Sequence, residues 1–203
     1  MTIVELETPH GTARAHLYGF DEAAAAALVL GHGAGGGPDA PDLVAARKAA
    51  LSEGLAAVLV EQPYRVAGRR APPRAPQLDA AWISVVEQLA ARELSGRRLI
   101  VGGRSAGARV ACRTAQATGA VAVLSLAFPL EPPSRDGKPR QSRLSELDAV
   151  RVPTLAVQGE RDPFGLPPPG RLREVVTVSG DHALKADLDA VGAAVKSWLR
   201  KVR

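Results

Sequence analysis

Cysteine and methionine are almost missing from this chain of 203 residues, which contains one of each. A single cysteine, Cys112, cannot form an internal disulfide, and it excludes a metal site built from several cysteines. We expect Cys112 to be a buried core thiol, because it falls seven residues into a stretch expected to be helical after Ser105. Nothing in the sequence calls for a metal or a cofactor, and we expect neither.

Aromatic residues are scarce as well, at 3% of the chain. The 26 lysines and arginines outnumber the 21 acidic residues, which gives a net charge of +5 and a pI near 9.9. No nucleic-acid recognition motif accompanies this basic charge. We therefore expect a mildly basic, arginine-rich surface and no nucleic-acid partner.

Long hydrophobic runs are also absent. The apolar stretches 23–30 and 121–128 are far shorter than the roughly 18 residues of a membrane span, and residues 1–7 alternate acidic and apolar side chains, unlike a signal peptide. We expect a cytoplasmic protein with no membrane partner. The length suits one domain, residues 1–203, as a monomer or a homodimer.

Short apolar runs alternate with helical patterns along the whole chain. Residues 2–8 and 13–18 alternate polar and apolar side chains around a turn, which predicts an antiparallel pair. The later predicted strands are apolar on both faces, as in a covered parallel sheet; they are 26–30, 56–60, 99–101, 121–127, 154–157 and 175–178. Helices are predicted at 39–52, 77–94, 106–117, 144–150 and 183–201. This order predicts an α/β fold, a mostly parallel, doubly wound sheet of about eight strands.

The most informative motif is G-x-S-x-G at residues 103–107. An apolar strand precedes it and a helical pattern follows it, which is the context of a nucleophile elbow. In such a turn Ser105 takes a strained backbone conformation, and glycines two residues before and after it prevent steric clash. Ser105 is therefore the candidate nucleophile.

A serine nucleophile needs a base, and the chain has four histidines. His10 and His16 belong to the first two strands and their turn, and His32 lies in a glycine-rich loop. His182 directly follows the last predicted strand, at the start of the last predicted helix, where it can reach over the carboxyl edge of the sheet. We predict His182 as the base; the alternative is a helix cap or a surface residue.

The base in turn needs a carboxylate to hold its tautomer. Asp162 comes just past the penultimate strand and before His182, which satisfies the chain order serine, acid, histidine of α/β-hydrolases. Glu160 and Asp181 are rivals, although Asp181 is the backbone neighbour of His182 and is poorly placed to meet its ring.

The glycine-rich loop 31–37 follows the third strand and can supply main-chain donors to an oxyanion. We assign the oxyanion hole to the backbone N–H groups of Ala34 and Ala106, the residue after the nucleophile. Residues 31–36 also read as G-x-G-x-x-G, and with Glu61 they allow a dinucleotide-binding alternative. That alternative leaves Ser105, Asp162 and His182 unexplained.

Together, segments 32–36, 103–107, 128–130, 157–165 and 180–182 resemble the α/β-hydrolase superfamily, and more narrowly the compact bacterial hydrolases similar to dienelactone hydrolase. The resemblance implies the hydrolase fold without a large cap domain, and a Ser-His-Asp triad. A similar domain occurs in a scaffold subunit of a histone acetyltransferase complex and in a testis-expressed protein. Because the nucleophile here is Ser105 and not cysteine, the specific activity of dienelactone hydrolase does not carry over.

Two functions are consistent with these features. The first is a serine hydrolase that cleaves a small ester, thioester or related acyl substrate through an acyl-enzyme. The second is a catalytically silent binding or scaffold protein on the same fold.

Basic residues are frequent in two proline-rich segments, 65–76 and 129–141, which are predicted as loops at the mouth of the site. Arginine forks suit carboxylates and phosphates, so they favour an anionic substrate; the alternative is solvated arginines. The predicted substrate-binding residues are Arg69, Arg70 and Arg104, with Arg65, Arg74, Arg135, Lys138, Arg140 and Arg143 nearby.

Overall fold

Eight strands form one sheet in the computed structural model, which describes residues 1–20, 24–132 and 141–203. The strands are β1 (Thr2–Thr8), β2 (Gly11–Tyr18), β3 (Ala26–Gly31), β4 (Ala56–Glu61), β5 (Arg98–Arg104), β6 (Ala122–Leu126), β7 (Thr154–Gly159) and β8 (Arg173–Val178). Their spatial order is β1-β2-β4-β3-β5-β6-β7-β8. β2 pairs antiparallel with both β1 and β4, and all the other pairs are parallel. The predicted α/β fold with an antiparallel N-terminal pair is confirmed.

Helices cover both faces of the sheet, which explains why its central strands are apolar on both sides. The helices in the described residues are α1 (Pro41–Ser52), α2 (Pro63–Val66), α3 (Ala75–Ala91), α4 (Ala106–Thr114), α5 (Leu144–Asp148) and α6 (Leu188–Val202). One buried cluster contains Trp82 of α3 and the other contains Trp198 of α6. Cys112 is a buried free thiol of the first cluster, as predicted, and burial raises its pKa to about 12.

Two local predictions are wrong. The last helix begins at Leu188 and not at residue 183, because Asp187 caps it by accepting a hydrogen bond from the Ala190 N–H, at 2.8 Å. His182 therefore lies in a loop. Segment 65–76 is not a loop throughout, since α2 ends at Val66 and α3 begins at Ala75, each with a proline in its first turn.

The parallel strands all end at the same edge of the sheet, and this edge carries the candidate site. In the described parts of the chain no separate cap domain covers it. Within those same ranges, no helix has the length and apolar character needed to cross a membrane. The described residues also contain no group of three His, Cys, Asp or Glu side chains that could hold a metal ion.

Candidate active site

Ser105 stands at a sharp turn between the last residue of β5, Arg104, and the first residue of α4, Ala106. Its backbone has φ 52° and ψ −108°, a strained conformation for a residue with a side chain. A Cβ at Gly103 or Gly107 would lie 2.5 Å or 2.3 Å from the carbonyl oxygen of Gly31. Both glycines are therefore required by close backbone approach, because the elbow packs directly against the end of β3.

Three side chains from three loops form a hydrogen-bonded chain at this turn. The Ser105 Oγ lies 2.9 Å from Nε2 of His182, and Nδ1 of His182 lies 2.8 Å from Oδ2 of Asp162. The Asp162 side chain is fully buried, whereas His182 keeps a fifth of its side-chain surface exposed. The structure thus brings together the predicted nucleophile, base and acid in the predicted order.

The rival acids lie in other contacts. Glu160 is exposed and forms an ion pair with its neighbour Arg161. The Asp181 carboxylate accepts a hydrogen bond from the Ala183 N–H at 2.9 Å. Asp162 is the candidate for which the structure shows a hydrogen bond to the His182 ring.

Two residues that sequence reasoning missed hold the acid and the base. The Gln158 side-chain amide donates to Oδ2 of Asp162 at 2.7 Å and is itself fixed by the backbone of Phe128. The ring of Phe164 packs against His182, with 4.3 Å between ring centroids, and the Phe164 N–H donates to Oδ1 of Asp162 at 2.9 Å. A polar glutamine at the end of the apolar strand β7 was the one available signal.

The glycine-rich loop is held by a buried histidine. The N–H of Gln62 donates to Nε2 of His32 at 3.1 Å, so Nδ1 carries the proton and donates to the carbonyl oxygen of Gly33 at 2.8 Å. Burial lowers the pKa of His32, which favours this neutral form. The same carbonyl accepts the N–H of Gly36 at 3.1 Å. Because a peptide unit is planar, these bonds also orient the N–H of Ala34, on the opposite side of the Gly33–Ala34 peptide.

The loop geometry also removes the dinucleotide alternative. A dinucleotide motif opens a helix at its third glycine, which packs close to the strand. Here the loop continues past Gly36, and α1 begins only at Pro41. Tyr64 of α2 donates its hydroxyl to the carbonyl oxygen of Ala34 at 2.7 Å, which fixes the loop from its other side.

A cavity of about 300 Å³ opens beside Ser105. Ala34 and Ala106 line it together with the nucleophile, and apolar side chains form much of its wall. The proline-rich segments line its mouth, as expected, through Pro72, Pro73, Pro129 and Pro132. Larger cavities exist between α1 and α6 and next to Arg203, but neither is lined by a residue of the triad.

The three predicted substrate-binding residues, Arg69, Arg70 and Arg104, are not in the lining of the cavity. Arg109, Arg113 and Arg143 line it, whereas Arg69 and Arg70 are exposed and Arg69 borders a separate small cavity beside Tyr64. Arg143 was among the nearby basic residues of the sequence; Arg109 and Arg113 were missed. Arg135, Lys138 and Arg140 lie outside the described residues.

Arg104 has a different place from the one expected. Its Nε lies 2.9 Å from the fully buried carboxylate of Asp42, in the first turn of α1. Its Nη2 donates to the carbonyl oxygen of His182 at 3.0 Å. These contacts hold the Arg104 side chain against α1 and the loop of His182, whereas Ser105 lines the cavity.

Comparisons with known proteins agree with this architecture. A family model described as an alpha/beta hydrolase domain matches residues 24–191, and the chain belongs to this family. A comparison with curated proteins found no match.

Among solved structures, an α/β serine hydrolase without a lid from Xanthomonas campestris, XC6422, is 18% identical, with a TM-score of 0.74 over 98% of this chain and 94% of that one. Est1E from Butyrivibrio proteoclasticus, solved with ferulic acid bound, is 16% identical, with a TM-score of 0.77 over 98% of both chains. Dienelactone hydrolase from Anabaena variabilis is 16% identical, with a TM-score of 0.75 over 99% of this chain and 97% of that one. At these identities the likeness shows the fold.

Proposed function

We propose that this protein is a serine hydrolase that cleaves small esters, thioesters or related acyl substrates through an acyl-enzyme. The observation that carries the proposal is the continuous hydrogen-bonded chain from Ser105 through His182 to the buried Asp162. The family and the esterases among the structurally similar proteins support hydrolase chemistry.

In the first step Ser105 Oγ attacks the carbonyl carbon of the substrate while Nε2 of His182 accepts the hydroxyl proton. The negative charge moves to the carbonyl oxygen, which needs donors that are already in place. The N–H groups of Ala34 and Ala106 suit this role, because both residues line the cavity with Ser105. Neither N–H has a hydrogen-bond partner among the described residues.

In the second step the imidazolium, stabilised by Asp162, returns its proton to the leaving oxygen or sulfur as the tetrahedral intermediate collapses. This leaves the acyl group on Ser105 Oγ. Water then attacks the acyl-enzyme while His182 takes its proton, and Ser105 regains that proton as the acid product leaves. The cavity of about 300 Å³ is at the small end of ligand pockets and favours small substrates.

The proposal is tested with Ser105→Ala and short p-nitrophenyl esters, using Ser95→Ala as the control because Ser95 is an exposed serine outside the site. We expect Ser105→Ala to lower kcat at least about a thousand-fold and to abolish labelling by a fluorophosphonate, while Ser95→Ala does neither. Full turnover by Ser105→Ala would overturn the proposal.

The same experiment separates the enzyme from a binding or scaffold protein on this fold. A protein that only binds gains nothing from the strained backbone of Ser105, whose cost is of order 1–3 kcal/mol. If a broad panel of acyl substrates showed no Ser105-dependent turnover and Ser105 resisted the label, the binding role would be favoured.

A further inference from the structure

Three guanidinium groups line the cavity beside Ser105, and two of them are paired with carboxylates. Arg109 binds the Glu146 carboxylate through two hydrogen bonds, of 2.9 and 2.5 Å. Arg113 binds Asp79 through two hydrogen bonds, of 2.8 and 2.6 Å, and reaches Glu146 at 3.2 Å. These contacts use both carboxylates, so Arg109 and Arg113 form a neutralised and rigid wall.

Arg143 is the arginine of this group that is not paired with either carboxylate. Its hydrogen bond goes to a neutral acceptor, the carbonyl oxygen of Pro129, at 3.2 Å from Nη1. In the described ranges, Arg143 forms no ion pair with a carboxylate. The guanidinium is partly buried, and burial together with the charge of Arg109 lowers its pKa. In the described parts of the protein, these three arginines and two carboxylates carry a net charge of +1, and Arg143 feels the charge of Glu146 without forming an ion pair with it.

We propose that Arg143 is a specificity residue that binds a carboxylate carried by the substrate, in the acyl or the alcohol part of the ester. The inference rests on the proposed function, because Arg143 and Ser105 line the same cavity. A guanidinium presents a fork of N–H donors that matches a carboxylate. A single uncompensated charge matches a monoanion better than a phosphate, which carries about −1.5 to −2 at pH 7.

A solely structural role for Arg143 is the competing explanation. The bond to Pro129 could fix the wall of the cavity without any contact to substrate. Loss of such a bond would affect charged and neutral substrates alike, whereas loss of a carboxylate-binding group affects the charged substrate more. The deciding quantity is the ratio of kcat/KM for two substrates of equal shape.

The first experiment compares 3-acetoxybenzoate with 3-acetoxybenzamide, and 4-nitrophenyl adipate monoester with its adipamide analogue, which covers a carboxylate on either side of the scissile bond. We expect a preference of about 10- to 100-fold for the carboxylate in one of the two pairs, the range that a hydrogen bond to a charged group provides. Arg143→Gln should abolish this preference mainly through KM, and Arg143→Lys should retain part of it. The control is Arg151→Gln, which removes the same charge from an exposed arginine outside the cavity and should keep the ratio.

A second experiment does not depend on turnover. Calorimetry on Ser105→Ala, with and without Arg143→Gln, compares the binding of 3-acetamidobenzoate, 3-acetamidobenzamide and 3-acetamidophenyl phosphate. The adipate pair is measured in the same way, with its nitrophenyl ester bond replaced by an amide bond. Tighter binding of a carboxylate that disappears in Arg143→Gln supports the proposal. Equal binding of acid and amide in both pairs, or tighter binding of the phosphate, overturns it. If wild type hydrolyses neutral and anionic esters equally through Ser105, the proposed function stands and the role of Arg143 fails.

Discussion

The two sides of Ser105 differ in how completely their polar groups are satisfied. On the side of His182, each atom of the relay has a partner: Asp162 is held by His182, by Gln158 and by a backbone N–H. On the cavity side, the N–H groups of Ala34 and Ala106 and most of the Arg143 fork have no partner among the described residues.

This difference has a physical reason. A catalytic relay must keep its geometry before substrate arrives, so its hydrogen bonds are supplied within the fold. Donors that act on the substrate must be free until it binds, because a donor that already has a partner within the protein cannot form a new hydrogen bond without losing the old one. The contrast between Arg104 and Arg143 follows the same rule, since Arg104 is committed to Asp42 and His182.

The largest effect on kcat should come from changing Asp162, the predicted acid on the His182 side of Ser105. Asp162→Asn replaces one carboxylate oxygen with an NH2 group, which cannot accept the hydrogen bond from Nδ1–H of His182. We therefore expect kcat to fall by about 10,000-fold with little change in KM. Steady-state kinetics on a p-nitrophenyl ester measure it. Glu160→Gln is the matched control, because Glu160 is the rival acid and is exposed. A greater loss in Glu160→Gln than in Asp162→Asn would reassign the acid.

Smaller effects, on stability and on kcat, are expected at the ion pair of Asp42 and Arg104, which lies behind His182. Asp42→Asn leaves the Arg104 guanidinium without its counter-charge, and removing one partner of a buried pair costs about 3 kcal/mol of unfolding free energy. Urea denaturation measures the loss. The control, Asp39→Asn, changes an exposed aspartate just before α1.

The same pair also reaches the candidate active site, because Arg104 donates to the carbonyl oxygen of His182. We expect Asp42→Asn to lower kcat as well, by roughly tenfold, the effect of about 1.4 kcal/mol. An Asp42→Asn variant that unfolds at the same urea concentration as wild type would show that the pair does not support the loop.

The sequence was sufficient for the parts of the site that depend on chain order and local spacing. The G-x-S-x-G pattern places Ser105 because glycines are required wherever backbone approaches this closely. Asp162 and His182 follow strand ends, and parallel strands end at one edge of the sheet. The fold followed from the same alternation of apolar runs and helical patterns.

Side-chain contacts between different segments of the chain could not be predicted from the sequence. Gln158, Phe164 and Tyr64 act through partners 4 to 30 residues away, and no pattern in one chain specifies such pairs. Arg104 is adjacent to Ser105 in sequence, but it pairs with Asp42 of a distant helix, and no local pattern predicts that pair. Arg109 had a usable signal, since residues four apart share a helix face and Arg109 is four residues after Ser105.

The smallest effect concerns the cavity side, where His32 orients the peptide that carries the N–H of Ala34. Burial lowers the pKa of His32, so between this pKa and the ordinary value of 6.5 the unfolded chain binds more protons than the folded one. His32 therefore gives its full contribution to stability above about pH 6.5 and loses it as the pH falls toward its folded pKa. Protonation would also turn Nε2 into a donor facing the N–H of Gln62.

The variant His32→Gln tests this pH dependence, because glutamine keeps an acceptor for that N–H and does not titrate. The unfolding free energy of the variant should therefore depend less on pH between about 5 and 7 than that of wild type. Urea denaturation across this range measures the difference, with His10→Gln as the control because His10 is exposed; equal pH profiles for His32→Gln and wild type would show that His32 does not hold the loop through its neutral form.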